Sequence, residues 1–323
     1  MYQDRIDLYK EIEKKQNSKL IVYVTSDRGG FEGQISQDIL PIFTEHLNKI
    51  GKTKKISLYI YTQGGEFCAA WSLVNLIRSY CKVFEVIVPF RCLSAGTLIC
   101  LGADKIIMTK QALLGPIDPS LNGSLNPISP INPGVPIPVS AEAINAYLEI
   151  AKKELGIKDP IALSNILIDL AQKVHPIVLG QVFRLRAQIQ MLARRLLRHQ
   201  NLKQGQIEKI VKFLCSESGS HDYTINRKEA KNELGLNIEK PDDNFYQLIK
   251  KVYDNICQEL ELLSPWNINL FLGNENEKEF CFRRALIESI EYGSNVFVSE
   301  GKYIRENGQI TTKLDYDGWK YLV

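Results

Sequence analysis

Only four histidines occur in 323 residues, and none stands at a metal-ligand spacing from another. The seven cysteines form no CxxC pair. A structural zinc site needs such spacings, so no metal is expected. No G-x-G-x-x-G fingerprint follows a strand, so no nicotinamide site and no cofactor are expected. No window approaches the ~18 consecutive apolar residues of a membrane span. The opening residues, "MYQDRIDLYKEIEKKQNSK", are charged and polar and lack the apolar run of a signal peptide. Charge of one sign is scarce too: the net charge is +3, which gives no reason to expect a nucleic acid as partner. The odd cysteine count, with Cys68, Cys92 and Cys100 in apolar settings, fits reduced thiols. A cytoplasmic protein is the expectation.

What is present is an ordinary globular composition, 45% hydrophobic and 24% charged. The length suits one large core with additions, or two domains. "KLIVYVTSD" is an apolar run ending in turn chemistry and reads as a buried strand. "SQDILPIFTEHLNKIG" has helical spacing, with Ile39, Ile42, Phe43 and Leu47 on one face and Gly51 as a stop. Two more such pairs follow: "KISLYIYTQGG" with "EFCAAWSLVNLIRSY", and "KVFEVIVPF" with a helix after Ser94. "DKIIMTK" reads as a fourth strand. Strands alternating with helices imply a mainly parallel sheet with crossover helices. Residues 121–139 are proline-rich and mark a boundary or a surface crossing. Three helices are expected over 140–200, and a helix over "NRKEAKNELGL". A helix "DNFYQLIKKVYDNICQELELL", mixed structure and a final hairpin turning at Asn307–Gly308 complete the chain.

Chemistry concentrates at two strand ends. Ser94 stands among small and apolar residues in "RCLSAGTLICLGAD", where a strand turns into a helix. A buried, unpaired hydroxyl costs on the order of 1–3 kcal/mol, so this serine either bonds the backbone or reacts. On spacing alone, an N-cap is the plainer role. A helix start also offers free N–H groups, and Ala95 supplies the first of them. "TQGGEF" places Gly64 and Gly65 just past another strand, where backbone can approach a ligand closely. Ligands of parallel sheets gather at the carboxyl ends of strands, so the glycine pair and Ser94 should converge.

Among the histidines, His221 lies in a polar loop beside Asp222 and is the best-placed base. His175, before Pro176, is its competitor or a helix cap. His46 is expected at the surface among charged neighbours. His199 is expected to favour a helix dipole. Asp104 reads as a turn residue, and Lys105 and Lys110 as surface positions.

The strings "YTQGGEF", "CLSAGTLICLGADKIIM", "LGPIDPS" and "HDYTINRKEAKNELGL" occur in this order, and in this they resemble the serine dehydrogenase proteinase family. "ALIESIEYGSNVFVSEG…GW" also resembles members of it, so the likeness spans roughly residues 17–320. That family is distantly related to the Clp protease proteolytic subunit and to signal peptide peptidase A. The resemblance implies an α/β fold of the ClpP/crotonase type, a spiral of β-β-α units. Here it would carry a helical insertion and a C-terminal α+β extension. It implies ATP-independent serine peptidase chemistry, with a triad in the chain order Ser, Asp, His. Ser94 would be the nucleophile, His221 the base and Asp118 its orienting acid. Asp118 lies 24 residues after Ser94, where the Clp peptidase places its histidine, so acid and base would have exchanged scaffold positions. Gly65 and Ala95 would form the oxyanion hole, and Gly64 would let the strand end bend beside the substrate. A serine–lysine dyad with Lys105 or Lys110 is a further option.

The domains expected are an N-terminal helix (1–16), a peptidase core (17–240, with the insertion at 140–205) and an extension (241–323). The partners expected are a peptide or protein substrate and further copies of the chain. The arginines of the 176–199 helix mark a solvated face, a subunit contact or a peripheral membrane contact. Two other functions stay open: an inactive peptide-binding or assembly protein of the same fold, and a crotonase-like enzyme of acyl thioesters.

Overall fold

Valine, isoleucine and tyrosine crowd residues 19–25, 53–61 and 81–88, and such side chains favour the pleated backbone. The computed structural model describes every residue except Pro133, Gly219, His221, Asn307 and Val323. The first half of the chain runs α1 (Tyr2–Gln16), β1 (Lys19–Thr25), α2 (Ile39–Ile50), β2 (Thr53–Tyr61), α3 (Phe67–Tyr80), β3 (Cys81–Val88), β4 (Arg91–Cys92), α4 (Ala95–Leu101), β5 (Lys105–Met108) and β6 (Leu113–Leu114). Then come β7 (Ser120–Leu121), β8 (Val139–Ser140), α5 (Ala141–Glu149), α6 (Pro160–Lys173), α7 (Pro176–Leu197) and α8 (Gln204–Lys212). The chain continues through β9 (Ile225–Asn226), α9 (Arg227–Asn232), β10 (Ile238–Glu239), α10 (Asp243–Glu259) and α11 (Ile268–Leu272). It finishes with β11 (Glu277–Ser289), β12 (Gly293–Glu306) and β13 (Gln309–Tyr321).

Two compact units result. The first comprises Met1–Gly115, Leu196–Leu202 and Thr224–Val323; the second comprises Pro116–Arg195 and Lys203–Tyr223. The first unit holds an eight-stranded sheet in the order β10-β5-β3-β2-β1-β11-β12-β13. Its strands β1, β2, β3, β5 and β10 pair in parallel, as the strand–helix alternation predicts, and β11 to β13 add an antiparallel meander. Leu58, Ile60, Val86 and Ile87 are fully buried, because a parallel sheet is covered on both faces.

Each long parallel strand is followed by a short paired segment before the next helix. Ile35 bridges to Gly65, Thr62 bridges to Cys92, and β4 pairs with β6, which pairs with β9. This is the β-β-α repeat of the ClpP/crotonase-like spiral, and the fold class is the one expected.

Arg5 on α1 is wholly buried. It ion-pairs with Glu288 of β11 at 2.6 Å and Glu259 of α10 at 2.7 Å, and donates to Tyr9. Removing one partner of such a pair costs ~3–5 kcal/mol, since the other charge stays buried.

The second unit packs Val139, Ile144, Val178 and Val182 into a small core. Its helix α6 buries no residue, and Ile161, Leu167 and Ile168 are exposed. Among the described residues no single helix is long and apolar enough to cross a membrane; α6 and α7 reach that threshold only as a pair bent by 102°.

Two expectations need correction. His46 is not at the surface. It is fully buried between α2 and the β11–β12 turn, bonded to Ser289 at 2.7 Å and Asn295 at 3.0 Å. Burial holds its imidazole down at about 4. Cys68 is exposed, not sheltered, whereas Cys92 and Cys100 are buried as expected. The "mixed structure" before the final hairpin is present, as the short helix α11 and the 13-residue strand β11. The hairpin itself forms, closing with Glu306 opposite Gln309. Its expected turn residue Asn307 lies outside the described residues.

Candidate active site

A strand that must become a helix within two residues needs a sharp turn, and here Ser94 makes it. Its backbone stands at φ 50°, ψ −117°, a region that costs a non-glycine residue ~1–3 kcal/mol. Its side chain makes no capping hydrogen bond to α4. The plainer reading of this serine, an N-cap, therefore fails. A capping serine has extended backbone and turns its oxygen onto the N–H groups of the first turn. The strain at Ser94 holds the hydroxyl away from the helix that follows it.

The surroundings of Ser94 have no room to spare. A Cβ on Gly64 would lie 2.7 Å from the Cβ of Ser94 and 3.2 Å from its Oγ. Gly64 and Gly65 have φ 119° and 145°, values that favour glycine. A Cβ on Gly65 would strike the Ile35 carbonyl at 2.2 Å. Gly96, the second residue of α4, lies against Thr62 and Cys92, where a Cβ would come within 2.5 Å and 2.9 Å of side-chain atoms.

Backbone bonds lock the two loops together. Thr62 N–H donates to Arg91 at 3.0 Å, and Leu93 N–H donates to Thr62 at 3.0 Å. The Thr62 hydroxyl accepts from Gly64 N–H at 3.0 Å. The Thr97 hydroxyl donates to the Cys92 carbonyl at 2.9 Å and accepts from Gly115 N–H at 3.0 Å. Thr62 and Thr97 stand inside "YTQGGEF" and "CLSAGT", but nothing in those letters marks their hydroxyls as ties between loops. The N–H groups of Gly65 and Ala95 donate to no backbone acceptor among the described residues. They are two donors in the neighbourhood of one hydroxyl, an arrangement that suits a carbonyl acquiring negative charge.

The other candidates stand as follows. Ser94, Ala95, Gly64 and Gly65 come together in the first unit. Asp118 belongs to the second unit and is buried. There it lines a polar cleft of about 360 Å³ with Ser140, Glu142, Ser216 and others. Burial and the neighbouring Asp118 push the Glu142 carboxyl up, against the pull of Arg186, its ion-pair partner at 2.9 Å. His221 lies outside the described residues. His175 is exposed at the start of α7, where its Nδ1 accepts from Ile177 N–H at 3.2 Å, the capping role read from Pro176. His199 is exposed, and burial with the nearby Arg78 lowers its imidazole.

Asp104 is the turn residue expected, accepting from Phe84 N–H at 2.7 Å. Both lysines of the alternative dyad are engaged elsewhere. Lys105 pairs with Glu239 at 2.8 Å, and Lys110 lies over the Tyr246 ring. No group of three or more histidine, cysteine or acidic residues able to hold a metal occurs among the described residues.

Against known families, one match covers this loop system. Residues 1–133 match the ClpP-like SDH-type serine proteinases. The family seen in the motifs and the enzyme class read from them, a serine peptidase, are those of the match. It includes Gly64, Gly65, Ser94, Ala95 and Asp118, and ends before His221. Two uncharacterized proteins of Methanocaldococcus jannaschii are also similar. One is 29% identical over 245 residues, 73% of this chain and 73% of its own length. The other is 28% identical over 185 residues, 57% of this chain and 51% of its own. Among solved structures, a mutant of the 1510-N membrane-bound stomatin-specific protease is 17% identical, with a TM-score of 0.42 over 72% of this chain and 85% of that one. ClpP1 from Listeria monocytogenes is 16% identical, with a TM-score of 0.38 over 75% and 97%.

Proposed function

We propose that this SDH-type chain hydrolyses peptide or protein substrates through an acyl-enzyme on Ser94, without ATP. The observation that carries the reading is the strained backbone of Ser94, at φ 50° and ψ −117°, with no capping bond to explain the serine. The Ser94 Oγ attacks the scissile carbonyl carbon. His221 takes its proton and returns it to the leaving amine, and Asp118 orients the imidazole. The oxyanion accepts hydrogen bonds from Gly65 and Ala95 N–H, and a removed donor of this kind costs ~10²–10³ in rate. Gly64 supplies the close approach that keeps Ser94 Oγ unobstructed. Water then hydrolyses the ester by the same steps in reverse.

On this reading residues 17–240 form the peptidase core, with an insertion at 140–205 and an extension at 241–323. The chain works as a homo-oligomer in the cytoplasm. The lack of any disulfide among its cysteines supports a reducing compartment.

The experiment is labelling of the pure protein with a fluorophosphonate, with the adduct mapped by mass spectrometry. Labelling at Ser94 that survives His175→Ala and disappears in His221→Ala supports the assignment. No labelling between about pH 6 and 9 overturns it in favour of an inactive peptide-binding protein.

A further inference from the structure

One carboxylate oxygen ties together the two loops that carry the candidate site. Asp27 follows β1, and its side chain is only 9% exposed. Its Oδ2 accepts from Tyr61 OH at 2.5 Å, from Gln63 Nε2 at 3.1 Å and from an Arg91 guanidinium nitrogen at 2.8 Å. Each donor comes from a different place in the loop system. Tyr61 ends β2, Gln63 immediately precedes Gly64, and Arg91 opens β4 three residues before Ser94. The Arg91 guanidinium is also fixed from its other side, 4.8 Å from the Phe90 ring centre. Charge-assisted hydrogen bonds are the stronger ones, and here three of them converge on one carboxylate oxygen.

We propose that Asp27 is a positioning residue for this site: its carboxylate sets the span between the Gly65 N–H and the Ser94–Ala95 turn. The backbone pairing of Thr62 with Arg91 and Leu93 fixes the register of the two loops at one point. Asp27 lies outside that pairing and clamps the residues flanking it. The inference rests on the serine-hydrolase reading, and it extends that reading to a residue that touches neither substrate nor nucleophile. A shift of about 1 Å between reacting groups costs ~10²-fold in rate, so a clamp on this span has catalytic weight.

Two readouts on the full chain test it. The first is the second-order rate of fluorophosphonate labelling at Ser94 in wild type, Asp27→Asn, Asp27→Ala and the double variant Asp27→Ala/Gln63→Ala. The second is hydrogen exchange, read by mass spectrometry, over peptides spanning 60–66 and 90–96. The expected result is a fall of about tenfold or more in Asp27→Ala. Asp27→Asn, which keeps an acceptor, should recover part of it. The double variant should add little, because Asp27 acts through Gln63 and Arg91. Exchange should rise in those two peptides and stay unchanged over β11 and β12. Asp254→Asn, an exposed carboxylate change on α10, should alter neither readout.

Unchanged labelling in Asp27→Ala, or a fall with no local rise in exchange, overturns the proposal. A wild-type protein that does not label removes the hydrolase reading instead. The exchange arm then decides the clamp by itself: unchanged exchange in Asp27→Ala overturns it.

Discussion

Two helices of this protein begin at a serine, and the two serines behave in opposite ways. Ser140 opens α5 with extended backbone, φ −88° and ψ 135°, and its hydroxyl accepts from Glu142 and Ala143 N–H. Ser94 opens α4 at φ 50° and ψ −117° and caps nothing. Ser140 is present for its helix. Ser94 costs its helix a cap and costs the backbone strain, so the reason for it lies outside local stability.

The comparison breaks most visibly at the hydroxyl itself. Ser94→Ala should abolish fluorophosphonate labelling, while Ser140→Ala leaves it intact; adduct mapping by mass spectrometry reads both. Acid unfolding should then separate neither variant from wild type, since neither touches the buried His46 that titrates in that range. Its imidazole is held near 4 in the fold against an ordinary 6.5. A depressed histidine contributes stability that is complete above the unfolded value and lost as pH falls from about 6.5 toward 4. The loss should be on the order of 2–3 kcal/mol by urea midpoints.

Gly64→Ala comes next. It crowds the Ser94 Cβ and puts a side chain at φ 119°. It should lower labelling at least about tenfold and stability by ~1–3 kcal/mol. The smallest effects test the backbone directly. Ser94→Gly should raise the denaturation midpoint, a gain of ~1 kcal/mol from released strain. Ser140→Ala should lower it by ~1 kcal/mol, the usual cost of a lost cap. Equal losses at the two sites would mean that Ser94 is a cap after all.

The alternation of strand and helix was legible because the long parallel strands each carry an apolar run, as at Leu58 to Tyr61, so their signal does not depend on a partner. The glycine pair was legible for a similar reason: positive φ and close approach leave few other residues possible. The φ of Ser94 was not legible. The letters "LSAGT" are equally those of a capped helix, and only the fold distinguishes the two. His46 misled because Glu45 and Lys49 beside it are charged. Its burial is decided by Ser289 and Asn295, more than 240 residues away. β11 was hidden by its first half, "EKEFCFRR", which is charged, only partly buried and lacks clean alternation. The partner of a loop histidine is a long-range fact too, which is why the base was left between His221 and His175.

The buried Arg5 has a consequence for how this chain is made. Its two acidic partners are 254 and 283 residues further along the chain. During vectorial synthesis α1 emerges early, with an arginine that has nowhere dry to go until β11 leaves the ribosome. β1 waits as well, since the flank that β11 occupies stays an open edge until then. The stretch that carries the serine, residues 1–133, should therefore not fold as an excised module. Shortened from its far end, the protein should be a client of chaperones or proteases before it is a smaller enzyme.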